Sequence, residues 1–291
     1  MLHRVAIFSK DTSTKTREGV RGLISELVKR DIRIFLYRSH PDHDNGIYGD
    51  VETFSEISAL DDLPEMVLSV GGDGTFLETM LRVKDYDIPV AGVNTGRMGF
   101  LANIPGEDIA ASVEQLCSGS FEVVERSLLE LCSPAQLFEG ASPTALNEIT
   151  IQKAMLSMIT IHVYVNDLFL NTYWADGLIV STATGSTAYN LSAGGPILSP
   201  DDESMIISPI SPHNLTIRPI VISGESRLRM VMEGRTAEYL ATCDFRFRKV
   251  PMHQEIEIRK ASSRLKTVRL EGRDFYSTLR NKLMWGADKR N

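Results

Sequence analysis

RVAIFSKDTSTKTREGVRGLISELVKRDIRIFLY, Arg4 to Tyr37, decides the fold. Its opening RVAIF, Arg4 to Phe8, reads as a buried strand. Thr16 to Arg30 then places Val20, Leu23, Ile24, Leu27 and Val28 on one helical face. IRIFLY, Ile32 to Tyr37, supplies the next strand. Strand, helix and strand at these lengths make a βαβ unit, which implies a right-handed crossover and a parallel sheet. The first turn, SKDTSTKT, lacks G-x-G-x-x-G, so the usual dinucleotide fingerprint is absent.

Working outward, PEMVLSV (Pro64 to Val70) is another strand, followed by a glycine loop and a helix. IPVAGVN (Ile88 to Asn94) is a further strand ending at TGRMG. Loops at the carboxyl ends of parallel strands are where such sheets bind ligands. Beyond about Pro105 the texture changes. ITIHVYV alternates Ile159, Ile161, Val163 and Val165 with polar residues, and Asn166-Asp167 then predicts a hairpin turn before LFLNTYW. RLRMVME alternates too, and EIEIRK and TVRLE read as two short strands. A helical stretch near Ser186 to Ala193 interrupts this β region. The tail DFYSTLRNKLMWG sets Phe275, Leu279 and Leu283 at helical spacing, as a helix that packs on the α/β part.

Composition narrows the function classes. A chain of 291 residues needs no disulfide or metal staple for its core. A net charge of −7 argues against nucleic acid as a partner, because such proteins present a basic face. Any anionic ligand must be held by local devices. No run of eighteen apolar residues predicts a membrane span, and Val5 to Phe8 is too short for a secretory core, so the expected location is the cytoplasm. Cys117, Cys132 and Cys243 are widely separated and read as reduced structural thiols. His40 and His43 have a spacing open to a metal, but Pro41, Asp42, Asp44, Asn45 and Gly46 mark a solvated loop.

VGGDGT, Val70 to Thr75, sets an aspartate among glycines where a Walker-type phosphate loop carries lysine. Thr75 and Glu78 predict a T-x-x-E capping box at the following helix. Amides at a helix start attract anions, yet by only about 0.3 to 1 kcal/mol when exposed. A triphosphate beside a carboxylate therefore calls for a divalent cation. A tight turn capped by Asp73 would explain the same residues, and the loop alone leaves both readings open.

ADGLIVSTATGSTAYNLSAGGP, Ala175 to Pro196, packs Asp176, Thr184, Ser186, Thr187, Tyr189, Asn190 and Ser192 around four glycines. Small hydroxyls and exposed amides suit a polyhydroxylated, phosphorylated ligand, with Tyr189 placed to cover a base or ribose. A Ser/Thr-rich turn explains Gly185 and Ser186 but not this density. Gly185-Ser186-Thr187 lacks the G-x-S-x-G elbow of a hydrolase nucleophile. Asn147-Glu148, in LNEIT, is by itself an ordinary turn before a strand.

Taken together, GGDGT (Gly71 to Thr75), GVNTGRMGFLANI (Gly92 to Ile104), Asn147-Glu148, TATGSTAYNLSAGGP (Thr182 to Pro196) and ISPISPHNLTIRPIV (Ile207 to Val221) resemble the NAD kinase family. The likeness runs from about residue 67 to 225. It implies transfer of the γ-phosphoryl group of a nucleoside triphosphate, ATP foremost, to the 2'-hydroxyl of the adenosine ribose of NAD, giving NADP. It implies Mg²⁺ or another divalent cation, and a homodimer or homotetramer. The fold it implies is a phosphofructokinase-like α/β domain over residues 1–104, completed by 269–291, and a mainly antiparallel β domain over 105–268.

On the same resemblance Asp73 is the proton acceptor, and Gly71, Gly72, Gly74 and Thr75 meet phosphate. NAD falls to Asp73, Gly74, Asn147, Glu148, Asp176, Thr184, Thr187, Ala188, Tyr189, Asn190, Leu191 and Ser192. Three positions depart from the family pattern. Ala183 stands where proline is usual, Cys243-Asp244-Phe245-Arg246 replaces a late DG element, and Glu78 replaces a basic residue. A diacylglycerol or lipid kinase shares GGDGT ahead of a β domain, but the hydroxyl-rich Thr182 to Ser192 segment favours a hydrophilic acceptor. A non-catalytic NAD-binding sensor is the reading from a different class.

Overall fold

The computed structural model describes residues 2–10, 13–38, 51–96, 99–106, 108–138 and 142–284. His40 and His43 lie outside the described residues. The chain divides into two units, Met1–Glu125 with Leu265–Asn291, and Arg126–Arg264.

In the first unit the expected βαβ forms as β1 (Arg4–Phe8), α1 (Thr14–Val28) and β2 (Arg33–Tyr37). β3 (Glu52–Phe54), β4 (Met66–Gly71), α2 (Asp73–Val83), β5 (Val90–Asn94), β6 (Ile104–Pro105) and α3 (Ile109–Ser118) follow. The strands pair in the order β3-β2-β1-β4-β5-β6, every pair parallel. The order reverses between β1 and β4, so the ends of these two strands flank the crevice where open α/β sheets hold ligands. All six residues of β4 and all five of β5 are buried, which explains their mostly apolar runs, broken only by Ser69 and the terminal Asn94. On α1, Val20, Leu23, Ile24 and Leu27 face the core as the spacing predicts; Val28, the last helical residue, is exposed. Helix α3, which buries Ser112, Val113 and Leu116, is not among the elements expected from the sequence.

The second unit holds β7 (Phe121–Ser133, which enters it from the first), β8 (Thr144–Ala145), β9 (Glu148–Lys153), β10 (Ile159–Val165), β11 (Leu168–Ala175) and β12 (Gly177–Ser181). A 3₁₀ turn (Thr184–Thr187) and the short α4 (Tyr189–Ser192) follow. Then come β13 (Met205–Ile210), β14 (Ile220–Ile222), β15 (Leu228–Glu233), β16 (Glu238–Cys243), β17 (Arg246–Pro251) and β18 (Ile256–Leu270), which returns the chain to the first unit and α5 (Phe275–Leu283). One sheet runs β14-β13-β12-β9-β16-β17, antiparallel throughout; β11 pairs with β10, β10 with β15 and β15 with the start of β18, each antiparallel. Side chains from both sets of strands, among them Ile149, Ile161, Leu178, Met230, Tyr239 and Ile256, form the core of this unit.

The Asn166-Asp167 turn is as predicted. Both residues have positive φ, 50° and 65°, which fits the two-residue hairpin that joins β10 to β11. EIEIRK and TVRLE are not two strands but parts of one, β18, fifteen residues long. The intervening Ala261, Ser262, Ser263 and Arg264 look like a linker, yet Ala261 and Leu265 stay buried in the strand. Among the described residues no helix is long and apolar enough to cross a membrane.

Candidate active site

β4 ends at Gly71 with φ +152°, and a Cβ there would stand 2.4 Å from the Thr75 hydroxyl oxygen. This bend lets α2 begin at once. Its N-cap is Gly72, extended and without a side-chain cap, and Asp73 and Gly74 occupy the first turn. The capping box expected of Thr75 and Glu78 is therefore not formed, because the helix starts ahead of Thr75. An aspartate in the first turn already complements the helix dipole. Glu78 instead pairs with the ammonium of Lys10, from the turn after β1. The first-turn N–H groups of Asp73, Gly74 and Thr75 have no acceptor within the helix.

The Asp73 side chain does not hang free in the loop. Its Oδ2 accepts the Phe100 N–H at 3.0 Å, and its Oδ1 accepts the N–H groups of Leu101 and Ala102 at 3.1 and 3.0 Å. A carboxylate has about four acceptor positions, so one remains, on Oδ2. Lys282 of α5 lies beside it, with Nζ 3.8 Å from Oδ2 and 4.3 Å from the centroid of the Phe100 ring. A Cβ on Gly99 would fall 1.8 Å from Asp73 Oδ1, so the approach of the two segments requires glycine there.

Neither partner was legible in the sequence. The amides of Phe100 to Ala102 carry no side-chain signature, and Lys282 sits in a tail whose only signal was apolar spacing. A cavity of about 370 Å³ opens at the end of β5, where Asn94 pairs with Gly71, lined by Lys15, Glu18, Gly19, Asn94 and Thr95 among others.

In the second unit the Thr182–Ser192 segment folds back on Asn147-Glu148. The Asn147 carbonyl accepts the Thr182 N–H at 2.9 Å, and the Thr182 hydroxyl donates to the Leu146 carbonyl at 2.6 Å. A Cβ on Gly185 would come 2.0 Å from the Asn147 carbonyl oxygen. Thr184 and Thr187 lie in the 3₁₀ turn, Ala188 joins it to α4, and Tyr189 is partly exposed at 38%. Leu191 is half-buried and Ser192 exposed.

Asn190 is fully buried, and its amide is committed to the protein. It donates to the Ser186 and Pro196 carbonyls at 3.0 and 2.9 Å and accepts the Ser208 hydroxyl at 2.6 Å. Ser186, also buried, both accepts from and donates to the backbone of Leu198. These two side chains shape the loop.

Asp176 stands apart. It precedes β12, whose far end, Ser181, is the residue paired with Glu148, about 16 Å away at strand rise. There it pairs with Lys153 at 2.5 Å.

Glu148 opens β9 and is buried. Burial first, and the charge of Asp244 second, push its carboxyl up to about 8, against the pull of the Tyr189 N–H. Its Oε2 has no hydrogen-bond partner. Asp244, in the turn between β16 and β17 with φ +51°, accepts the N–H groups of Leu146, Asn147 and Glu148 at 2.9, 2.8 and 3.2 Å. The departure at Cys243-Asp244-Phe245-Arg246 thus supplies the carboxylate that grips the Asn147-Glu148 strand entry. Cys243 beside it is buried, its thiol pushed up to about 12 by burial, and all three cysteines are free. Among the described residues no group of three or more His, Cys, Asp or Glu is arranged to hold a metal.

Comparisons with known proteins point one way. The family model of the ATP-NAD kinase N-terminal domain matches residues 25–121 and that of the C-terminal domain 146–270. An NAD kinase of Cytophaga hutchinsonii is 45% identical, over 78% of each chain. One of Christiangramia forsetii is 39% identical over 99% of this chain and 100% of its own. Among solved structures, yeast NADH kinase complexed with NADH shares the fold at a TM-score of 0.86 and 22% identity, covering 99% of this chain and 89% of that one. An NAD kinase from Archaeoglobus fulgidus in complex with ATP gives 0.75 and 24%, over 97% and 99%. With both halves matched by the paired models and relatives aligned end to end, this chain belongs to the NAD kinase family.

Proposed function

We propose that the protein transfers the γ-phosphoryl group of ATP to the 2'-hydroxyl of the adenosine ribose of NAD, giving NADP and ADP. The observation that carries the reading is Asp73: a carboxylate at a helix start, tied to three amides, with one acceptor position left for a hydroxyl. The ribose hydroxyl donates to that position and is aimed along the line of attack. As its oxygen bonds to the γ-phosphorus, the bond from phosphorus to the bridging oxygen breaks, ADP leaves with that electron pair, and the hydroxyl proton passes to Asp73 and on to solvent. In a loose transition state that proton leaves late, so orientation matters more than basicity.

The first-turn amides of Asp73, Gly74 and Thr75 meet phosphoryl oxygens, with Gly71 and Gly72 shaping the bend. Lys282 offsets the carboxylate's charge where a second anion must approach. The donor's nucleoside is assigned to the cavity lined by Lys15, Glu18 and Asn94, whose size suits a small ligand.

Asn147, Glu148, Thr184, Thr187, Ala188, Tyr189, Leu191 and Ser192 are assigned to the dinucleotide, while Asn190 holds their loop in shape. Mg²⁺ is read as part of the donor substrate, held by phosphate oxygens and water, as is usual for this ion with nucleoside triphosphates. It supplies charge neutralisation of the phosphoryl oxygens. Assembly as a homodimer or homotetramer goes with this reading.

The test is a coupled assay: NAD, ATP and Mg²⁺ with purified protein should yield NADP, read by an NADP-specific dehydrogenase. Phosphorylation of diacylglycerol instead, or NAD binding without transfer, would overturn it.

A further inference from the structure

The glycine loop that begins α2 carries no lysine for the transferring phosphoryl group, yet an ammonium from the tail helix stands beside it. Phe275, Leu279 and Lys282 follow at i, i+4 and i+7 on one face of α5. Leu279 is buried, the Phe275 ring lies 6.3 Å from that of Phe100, and Lys282 carries the same face on to the Asp73 carboxylate. A lysine thus occupies the place where the stripe would hold a third apolar residue.

That lysine is held but not saturated. Its Nζ stands 4.3 Å from the centroid of the Phe100 ring and 3.8 Å from Asp73 Oδ2, too far for a hydrogen bond. Among the described residues nothing accepts a hydrogen bond from it, and the side chain is 33% exposed. Lys10, also held against α2, is by contrast committed to Glu78. A basic residue in a last turn complements the helix's own carbonyls. Arg280 supplies that too, so the helix alone does not call for Lys282 at this place.

We propose that Lys282 is a catalytic residue that stands in for the missing loop lysine: its Nζ donates to a γ-phosphoryl oxygen of ATP while Asp73 holds the attacking hydroxyl. The inference rests on the reading of Asp73 as the group that receives the ribose hydroxyl. A hydroxyl at the open position of Oδ2 stands about 2.7 Å from it, and the phosphorus under attack about 3 to 3.5 Å farther on. Nζ, 3.8 Å from the same Oδ2, needs to come within about 2.8 Å of an oxygen on that phosphorus, a step its flexible stem covers. Lys282 contributes charge and no proton: the breaking bond's electron pair still leaves with ADP, and the hydroxyl proton still passes to Asp73.

The experiment measures binding of MgATP, MgADP and NAD separately by calorimetry at low salt, with folding followed by circular dichroism. Methionine keeps the stem over Phe100 and removes only the ammonium. Wild type should bind ATP about tenfold more tightly than ADP, the low end for a hydrogen bond between charged groups. Lys282→Met should lose that preference, with ADP and NAD affinities within about twofold of wild type, and Lys282→Arg should keep most of it. On an Asp73→Asn background, Lys282→Met should still cost about tenfold in ATP affinity.

Wild type that binds ATP and ADP alike, equal losses for both in the methionine variant, or a loss confined to NAD would each overturn the proposal. So would the absence of any loss on the Asp73→Asn background, which would make Lys282 a partner of Asp73 alone. Wild type that binds neither nucleotide would instead overturn the assignment of ATP as donor, and this contact with it.

Discussion

Asp73 carries the chemistry through its geometry. Asparagine offers one acceptor oxygen and sets an NH₂ against a backbone donor, so Asp73→Asn keeps at most two of the three amide bonds. The variant should lose about 10²- to 10⁴-fold in kcat in the coupled assay, the range for removing a positioned general base. It should also melt earlier, by the equivalent of about 1 kcal/mol, the low end of the penalty for an unmatched donor, because these amides are only part-buried.

Glu148 gives a prediction for the protein alone. An unfolded Glu148 ionises near 4.5, while the native carboxyl keeps its proton to about 8. Below 4.5 both states are protonated and stability is undiminished. Between the two values only the unfolded chain gains from ionisation, so wild type loses stability as pH rises, by at most about 4 to 5 kcal/mol. Melting curves should show Glu148→Gln gaining on wild type from pH 5 to 8.5; a constant difference in Tm across that range would contradict the native proton.

Among the elements, α5 shows what a sequence reveals of a helix and what it conceals. The spacing of Phe275, Leu279 and Leu283 is legible, and Asp274 caps the helix through the Ser277 N–H at 2.8 Å. That Lys282 reaches Asp73 depends on packing between segments two hundred residues apart. The same limit hid the grip of Asp244 on β9. Within an element, periodicity reports the buried face, as in α1 and β10; between elements, hydrogen bonds to main-chain amides leave no trace in side-chain pattern. β18 reads as two short strands because two serines and an arginine resemble a linker and the buried positions there slip out of strict alternation, from Ile258 to Ala261 and Leu265.

Lys282→Met should lower kcat about five- to tenfold at low salt, the scale of one partly exposed charge pair. The deficit should shrink in about 0.5 M salt, where such a pair is screened. A salt-independent deficit would mean that α5 acts through packing alone.

For the whole molecule, a chain of net charge −7 that handles two anionic substrates needs its positive charge delivered locally. The described residues offer ammonium groups and helix-start amides, and no group of three or more His, Cys, Asp or Glu arranged to hold a metal. Chelation by EDTA should therefore abolish NADP formation while leaving the Tm of the free protein within about 1 °C, since only a ligand bound to the native state shifts that midpoint. A large drop in Tm would reveal a structural cation. The division into an α/β part and a mainly antiparallel β part was legible, because parallel and antiparallel strands leave different hydrophobic rhythms.

Asp73 and Asp244 share one device, a short acid whose two oxygens reach three successive or near-successive amides of another segment. Such a clasp gauges length as strictly as sign. A glutamate in either place would preserve the charge yet overshoot its clasp by one methylene, so the exchange chemists consider mildest should be among the most damaging in this protein.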